Sequence, residues 1–94
     1  MVEKREEFVE DDYVAPVGDL ETSVAEIVAA VIGIDRLGRT DSYYDFGGTS
    51  LQAIRICTRI ESQLGIRATP LWLLEDDVLQ DFVARLAPAA EDGS

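Results

Sequence analysis

The residues best suited to chemistry in this sequence are a serine and the two glycines before it. Residues 45–51 read Asp-Phe-Gly-Gly-Thr-Ser-Leu, and a stretch without glycine or proline follows, so Ser50 stands where a loop ends and a helix begins. A helix N-terminus favours a phosphate on such an oxygen, and Gly47 and Gly48 leave room for an enzyme to approach. The simpler interpretation, that Thr49 or Ser50 only caps the helix, stays open.

Groups that could activate Ser50 are missing from the sequence. There is no histidine, which excludes a Ser-His-Asp triad, a Cys-His pair and histidine-based zinc chemistry. Asp45 is a weak base, and the single cysteine, Cys57, lies among apolar positions typical of a small buried side chain. We therefore predict that a base acting on Ser50 comes from another enzyme, and that this chain is a substrate and not a catalyst.

The composition limits the size and the partners of the protein. Its 94 residues fit one small domain, and 8 basic against 19 acidic side chains give a net charge of −11. This charge has the wrong sign for nucleic acid or an anionic membrane surface and favours a partner with a basic face. The longest uncharged apolar run, residues 27–34, is too short to span a bilayer, and no signal peptide is visible, so we expect a cytoplasmic protein.

The ends of the chain differ in composition from its middle. Residues 1–12 carry six acids against two bases and predict a flexible, solvated acidic leader. Residues 88–94 begin with Pro88, which we expect to stop the last helix, and predict a flexible tail. The folded domain is then residues 13–87.

Periodicity predicts an all-α fold, a small four-helix bundle of three long helices and one short one. The first helix covers 19–32 with Asp19 as its N-cap, and a long loop over 34–49 holds the aromatic residues and one short turn. The second helix covers 50–64 with Ala53, Cys57, Ile60 and Leu64 as its buried stripe, broadened by Ile54 and Ile56. Pro70 opens the short helix, and Asp76 or Asp77 caps the last helix over 78–86.

The second helix has a solvent side that carries Gln52, Arg55 and Arg59. Leu51 lies well away from the buried stripe, so it faces outward beside Ser50, where it either contacts a partner or packs on the loop. Trp72 of the short helix either contacts a partner or belongs to the core. Partner recognition and simple solvation are both open for Gln52 and Arg55.

The order of these motifs resembles the peptidyl carrier (thiolation) proteins of nonribosomal peptide synthesis. The pattern is an acidic residue, two aromatics, a spacer and Gly-Gly-x-Ser-Leu, here residues 41–51, and it extends from Tyr-Val-Ala-Pro at 13–16 to Val-Ala-Arg-Leu at 83–86. Two departures are Tyr43 and Tyr44, where phenylalanines are usual, and Asp-Asp at 76–77, where proline and threonine are common.

The resemblance implies that a 4′-phosphopantetheine arm is attached to Ser50 within the flanking motif Gly47, Gly48 and Thr49. A phosphopantetheinyl transferase would move the arm from coenzyme A with magnesium. The thiol would then carry aminoacyl, aryl or peptidyl groups as thioesters between an adenylation enzyme and condensation, thioesterase or tailoring enzymes. Leu51, Gln52, Arg55 and Trp72 are the candidate partner-binding residues on a carrier that we expect to be a monomer.

Two other interpretations remain. An acyl carrier protein of fatty acid or polyketide synthesis would use the same arm, although such proteins usually have Asp-Ser-Leu where this chain has Thr49 before Ser50. An unmodified helical interaction module would use Leu51 and Trp72 as anchors. The chain opens with its own leader, which favours a free-standing carrier over an excised domain.

Overall fold

The computed structural model describes residues 2–91, which form four α-helices. They are α1 (Gly18–Ile32), α2 (Ser50–Leu64), α3 (Pro70–Glu75) and α4 (Leu79–Glu91), and two short 3₁₀ turns lie at Arg5–Glu7 and Tyr43–Phe46. Within this described part there is no strand, only two isolated β-bridges, Glu3 with Ile34 and Ser42 with Val78. The predicted all-α bundle with a long loop between the first two helices is therefore confirmed.

The core lies between the inner faces of α1, α2 and α4. The buried side chains of α2 match the predicted stripe at Ala53, Ile56, Cys57 and Ile60. Leu64 is only half-buried, and Ile54 is 51% exposed. The main fully buried apolar residues, with less than 2% exposure, are Val24, Val28, Tyr43, Ile56, Ile60, Leu73, Leu79, Phe82 and Leu86.

The start of α1 differs from the sequence prediction. Val17, not Asp19, is the N-cap residue, and its backbone N–H donates to the carboxylate of Glu21 at 3.1 Å. The Glu21 carboxylate thus reaches back to the backbone N–H of the N-cap residue itself, as the acidic residue of a capping box does, while the apolar side chain of Val17 caps no amide of the first turn. Glu21 is held there by Arg39, whose Nε donates to it at 2.7 Å.

The leader is the largest difference between the predicted and observed organisation. Arg5 is 1% exposed and donates to Asp41 from Nε at 2.5 Å and from its terminal nitrogen at 2.8 Å. Phe8 lies against Phe46 with 5.6 Å between ring centroids. The backbone of Glu3 exchanges hydrogen bonds of 2.9 and 2.8 Å with residues 33 and 35. Residues 3–8 thus pack on the domain, because one arginine and one aromatic ring within an acidic segment find buried partners.

The ends of α4 also differ from the prediction. Neither Asp76 nor Asp77 caps it, because the first carboxylate binds Arg85 and the second accepts the Ser42 hydroxyl. The free amides of Leu79 and Gln80 instead donate to loop carbonyls, those of residues 41 and 39, at 3.1 and 3.0 Å.

At its other end, α4 continues through Pro88 to Glu91. A proline in the last turn removes one backbone donor and leaves the preceding turns intact. Residues 92–94 of the predicted tail lie outside the described residues. Across residues 2–91, no helix is both long enough and apolar enough to cross a membrane.

Candidate functional site

Ser50 is the first residue of α2, and its side chain is exposed. Thr49 is the N-cap: its hydroxyl oxygen accepts the backbone N–H of Gln52 at 3.2 Å, and its carbonyl accepts that of Ala53 at 3.0 Å. Among residues 2–91, no group accepts a hydrogen bond from the Ser50 hydroxyl. The capping function therefore belongs to Thr49, and the oxygen of Ser50 is free to react.

The turn that leads into Ser50 rests on the ring of Tyr43. A Cβ atom added at Gly48 would lie 2.4 Å from Cζ of that ring, so only glycine fits there. Gly47 has a φ of 77°, a left-handed conformation that other residues rarely adopt, and a Cβ there would meet nothing within 4 Å. The two glycines thus have different tasks: Gly47 makes the turn, and Gly48 allows the close approach to Tyr43.

The hydroxyl groups of the two tyrosines tie the loop to neighbouring helices. The Tyr43 hydroxyl donates to the Thr49 carbonyl at 2.5 Å, and that of Tyr44 donates to the Leu74 carbonyl at 2.6 Å. Burial raises the pKa of Tyr43, although its bond to Thr49 opposes the shift. A phenylalanine at either position would pack but could not make these bonds.

The 3₁₀ turn that carries these tyrosines is fixed at its start. The Ser42 hydroxyl donates to the Asp77 carboxylate, and the Tyr43 N–H donates to the Asp77 carbonyl at 2.7 Å. Phe46 is buried at the other end of the turn. Tyr43 and Phe46 therefore hold the loop against the bundle, while Tyr44 stays largely exposed.

Charge on the first three turns of α2 differs in sign from that of the whole chain. The charged side chains there are Arg55 and Arg59, and the first carboxylate on the helix is Glu61. The N-terminus of α2 adds the positive end of its dipole, an effect of about 0.3–1 kcal/mol for an exposed anion. The surroundings of Ser50 therefore favour a phosphate.

The candidate partner residues fall into two groups. Leu51 is 60% exposed, as predicted, and Arg55 is exposed as well. Gln52 is half-buried with its side-chain oxygen enclosed and without a hydrogen-bond partner among the described atoms. Trp72 lies on α3, where it is half-buried against the core with the Arg85 guanidinium 5.3 Å from its ring centroid.

Two exposed apolar side chains, one on α2 and one on α3, were not expected from the sequence. Ile54 was expected in the buried stripe but is exposed three residues after Leu51, on the same side of α2. Its spacing from Leu51 is the signal that could have shown this. Leu71 of α3 is also exposed, and no signal in the sequence separates it from its buried neighbour Leu73.

Cys57 has no place in the chemistry of this site. It is buried, as predicted, and burial raises the pKa of its thiol to about 11, with a smaller effect from Glu61. A thiol that stays protonated at neutral pH is a poor nucleophile.

Comparison with known proteins identifies the family. The model of the family described as "Phosphopantetheine attachment site" matches residues 22–86, which include the loop and α2. The chain belongs to this family. Its members carry a 4′-phosphopantetheine prosthetic group and are not catalysts themselves. The free hydroxyl of Ser50 at a helix N-terminus fits such a group.

The relatives of this carrier chain are peptide synthetases. It is 35% identical over 79 residues to malpinin synthetase of Mortierella alpina, and equally so to a linear gramicidin synthase of Brevibacillus parabrevis. Each match covers 84% of this chain and about 1% of the relative. The chain thus corresponds to a very small part of these proteins.

Solved carrier structures share its fold. The PaxA T1-CDD/PaxB NDD docking complex of the Pax nonribosomal peptide synthetase matches with a TM-score of 0.78 and 26% identity, over 87% of this chain and 79% of that one. BlmI, a type-II acyl carrier protein from Streptomyces verticillus, matches with a TM-score of 0.68 and 28% identity, over 73% and 83%. The resemblance to peptidyl carrier proteins predicted from the sequence is confirmed.

Proposed function

We propose that Ser50 is the attachment site of the phosphopantetheine arm and that the chain carries peptide-synthesis intermediates on it. The observation that supports Ser50 is its exposed hydroxyl at the first position of α2, with the capping function held by Thr49. Gly47, Gly48 and Thr49 act as the flanking motif that presents this hydroxyl. The proposed carrier domain is residues 13–87.

The attachment reaction draws its catalytic groups from a phosphopantetheinyl transferase. A base of that enzyme takes the proton of the Ser50 hydroxyl, and Oγ forms a new bond to the phosphorus of the phosphopantetheine half of coenzyme A. The bond from that phosphorus to the bridging oxygen breaks, and adenosine 3′,5′-bisphosphate leaves with the electron pair. Magnesium bound with coenzyme A offsets the phosphate charge.

The arm supplies a thiol that holds aminoacyl, aryl or peptidyl groups as thioesters. In the proposed cycle an adenylation enzyme loads the thiol, and condensation, thioesterase or tailoring enzymes act on the cargo. The rigid start of α2 presents the arm to each enzyme from one fixed point.

The proposed contacts for these enzymes lie beside Ser50. Leu51 supports this role because its large apolar side chain is exposed, and Arg55 follows it by one helical turn. Gln52 follows Leu51 on α2 and is half-buried; its side-chain oxygen is enclosed, so a partner would meet only the exposed remainder of the residue. Trp72 is the most weakly supported of the four, because its ring packs on the core below Arg85.

An acyl carrier of fatty acid or polyketide synthesis is the second candidate; the likeness to BlmI, described as a type-II acyl carrier protein, supports the acyl carrier class but neither of these pathways. Both candidates use Ser50 and differ in the enzyme that loads the thiol. An aminoacyl-adenylating enzyme should load the peptidyl carrier, and a malonyl-type transferase should load the acyl carrier.

Intact mass spectrometry tests the attachment site. The protein is incubated with coenzyme A, magnesium and a broad-specificity phosphopantetheinyl transferase, alongside Ser50→Ala and the control Ser62→Ala, an exposed serine on the same helix. We expect the parent and Ser62→Ala to gain the mass of one arm and Ser50→Ala to gain nothing.

Ser50→Ala keeps the Thr49 cap, so its helical circular dichroism should match that of the parent. A mass gain in folded Ser50→Ala would show that the arm is attached elsewhere. No gain in the parent with several transferases would favour the unmodified interaction module.

A further inference from the structure

One face of α2 next to Ser50 has no partner in the fold. Leu51, Ile54, Arg55 and Thr58 follow the i, i+3, i+4, i+7 pattern that places side chains on one side of a helix, and all four are exposed. From Ile54 onward, this face and α1 enclose an open groove of about 420 Å³. The groove is lined by Ala30, Val31, Ile54, Arg55, Thr58 and Arg59.

The groove combines an apolar floor with two cations. Val31 is half-buried and Ile54 is 51% exposed, so apolar surface remains open to a ligand. The Thr58 hydroxyl donates to the Ile54 carbonyl at 2.9 Å. Its oxygen can therefore only accept further hydrogen bonds. The guanidinium groups of Arg55 and Arg59 are therefore the side chains of the groove that can donate hydrogen bonds to a ligand.

Arg55 and Arg59 form no ion pair with any carboxylate in the described residues. Arg36, Arg39 and Arg85, by contrast, each have a carboxylate within 3.1 Å, and Arg5 has one at 2.5 Å. A chain with 19 acidic side chains thus leaves two adjacent arginines free in one groove. Glu26 lines the next groove along α1 together with Arg59 but forms no ion pair with it.

We propose that this groove binds the group carried on the arm of Ser50 when that group joins an apolar portion to a carboxylate. The apolar portion would lie on Val31 and Ile54, and the carboxylate would accept hydrogen bonds from Arg55 or Arg59. An acyl group that ends in an ammonium would be repelled by the same two residues. This inference rests on the proposed attachment to Ser50.

The arm is long enough to place its cargo there. From the serine oxygen to the sulfur it has about fourteen chain atoms, which span roughly 16 Å at the reach of an extended chain. Along α2, Ile54 lies about 6 Å and Arg59 about 13.5 Å from Ser50 at the rise of an α-helix. The end of the arm therefore reaches as far along α2 as Arg59, the most distant of the α2 residues that line the groove.

Tethering also explains how an anion can bind to a chain with a net charge of −11. A free acidic partner meets the repulsion of the whole surface before it reaches the groove. A tethered acid is held beside the groove at an effective concentration in the millimolar range. Weak local attraction by Arg55 and Arg59 is then sufficient to populate the bound state.

The test compares two cargoes of similar size. A transferase loads the protein from glutaryl- or pentanoyl-coenzyme A, which differ in ending with a carboxylate or a methyl group, and intact mass verifies loading. Cleavage of the thioester by hydroxylamine is then timed, and the methyl NMR signals of Val31 and Ile54 are compared with those of the unloaded carrier.

We expect the glutaryl thioester to be cleaved about two- to fivefold more slowly than the pentanoyl thioester, the size of effect given by an exposed ion pair. The double variant Arg55→Gln/Arg59→Gln should remove this difference and the glutaryl-specific methyl shifts. Arg67→Gln, which removes another arginine without an ion pair but outside the groove, should preserve both. High salt should weaken the protection.

Other results overturn the inference in distinguishable ways. Equal cleavage rates and methyl shifts for the two cargoes on a correctly loaded protein contradict the groove and leave the attachment to Ser50 intact. If the double variant instead slows loading of both cargoes equally and leaves the cleavage rates unchanged, the arginines serve an acidic partner surface. Failure of Ser50 to accept either arm removes the proposed function, and this inference with it.

Discussion

At the start of α2, Thr49 caps the helix and the adjacent Ser50 has a free hydroxyl. Thr49 accepts the Gln52 amide with its side chain, so the neighbouring Ser50 oxygen makes no internal hydrogen bond with the described residues. Cys57, the other nucleophilic side chain, is buried two turns further along and stays protonated. Position relative to the helix end, more than residue type, therefore separates the reactive oxygen from the inert sulfur.

The buried thiol of Cys57 predicts a loss of stability in alkaline solution. Its folded pKa of about 11 lies above the value near 9 of an exposed thiol, so the unfolded chain releases this proton first. The stabilising contribution is complete below about pH 9 and is lost as the pH rises towards 11, by about 2–3 kcal/mol in total.

Urea unfolding of the parent and Cys57→Ala at pH 8 and pH 10.5, under reducing conditions, measures this effect. The parent should lose more free energy of unfolding than the variant over this interval. Tyr43 shifts in the same direction but is present in both proteins, so the difference isolates the thiol. Equal losses would contradict the raised pKa of Cys57.

The 3₁₀ turn at Tyr43–Phe46 is the element that positions the start of α2. The Tyr43 ring lies under Gly48, its hydroxyl holds the Thr49 carbonyl, and its backbone N–H is bound to the Asp77 carbonyl. Tyr43 thus connects the loop and the N-terminus of α2 through its side chain, and the segment before α4 through its backbone. The position of Ser50 therefore depends on this turn.

Replacement of Gly48 tests the contact between these elements. Gly48→Ala should destabilise the fold by about 1–3 kcal/mol, because the new Cβ would lie 2.4 Å from the Tyr43 ring. Urea unfolding measures the effect. In a double-mutant cycle with Tyr43→Leu, whose side chain is shorter than the ring, the two changes should cost less together than the sum of the single changes. Strict additivity would contradict the contact.

Across the whole molecule, the buried pair of Arg5 and Asp41 joins parts that are distant in sequence. The Asp41 carboxylate also accepts the Gly38 amide at 2.8 Å, and its backbone carbonyl accepts the first amide of α4 at 3.1 Å. Hydrogen bonding to Asp41 raises the pKa of the Arg5 guanidinium further, so this cation stays charged. The leader, the long loop and α4 therefore form one packed unit.

Removal of Arg5 should consequently destabilise far more than removal of an exposed arginine. Arg5→Ala leaves the buried Asp41 carboxylate without its cation, and we expect a loss of about 3–5 kcal/mol. Arg36→Ala, which breaks a largely exposed pair with Glu6, should cost far less, because water screens this pair. Urea unfolding measures the free energy of unfolding of both variants. Similar losses of this free energy would mean that the leader is not part of the stable fold.

The sequence by itself determined the helices and pointed to Ser50 as the candidate attachment residue. The predicted bounds of α2 and the C-terminal end of α1 match the structure because apolar periodicity and glycine at a helix end act within a few residues. The motif around Ser50 is equally local, and it carried the resemblance to the family that the comparison then confirmed. Short-range physics of this kind can be read along the chain.

The tertiary structure alone decided which residues satisfy the helix ends and what covers the loop. The sequence favoured Asp19, Asp76 and Asp77 as caps, yet Glu21 and loop carbonyls take these roles. The leader has the composition of a solvated segment, but Arg5 finds a carboxylate 36 residues away. A hydrogen bond or an ion pair depends on where the folded chain places the partner in space. Composition describes the average of a segment, whereas a single buried residue, Arg5, determines whether this segment packs on the domain.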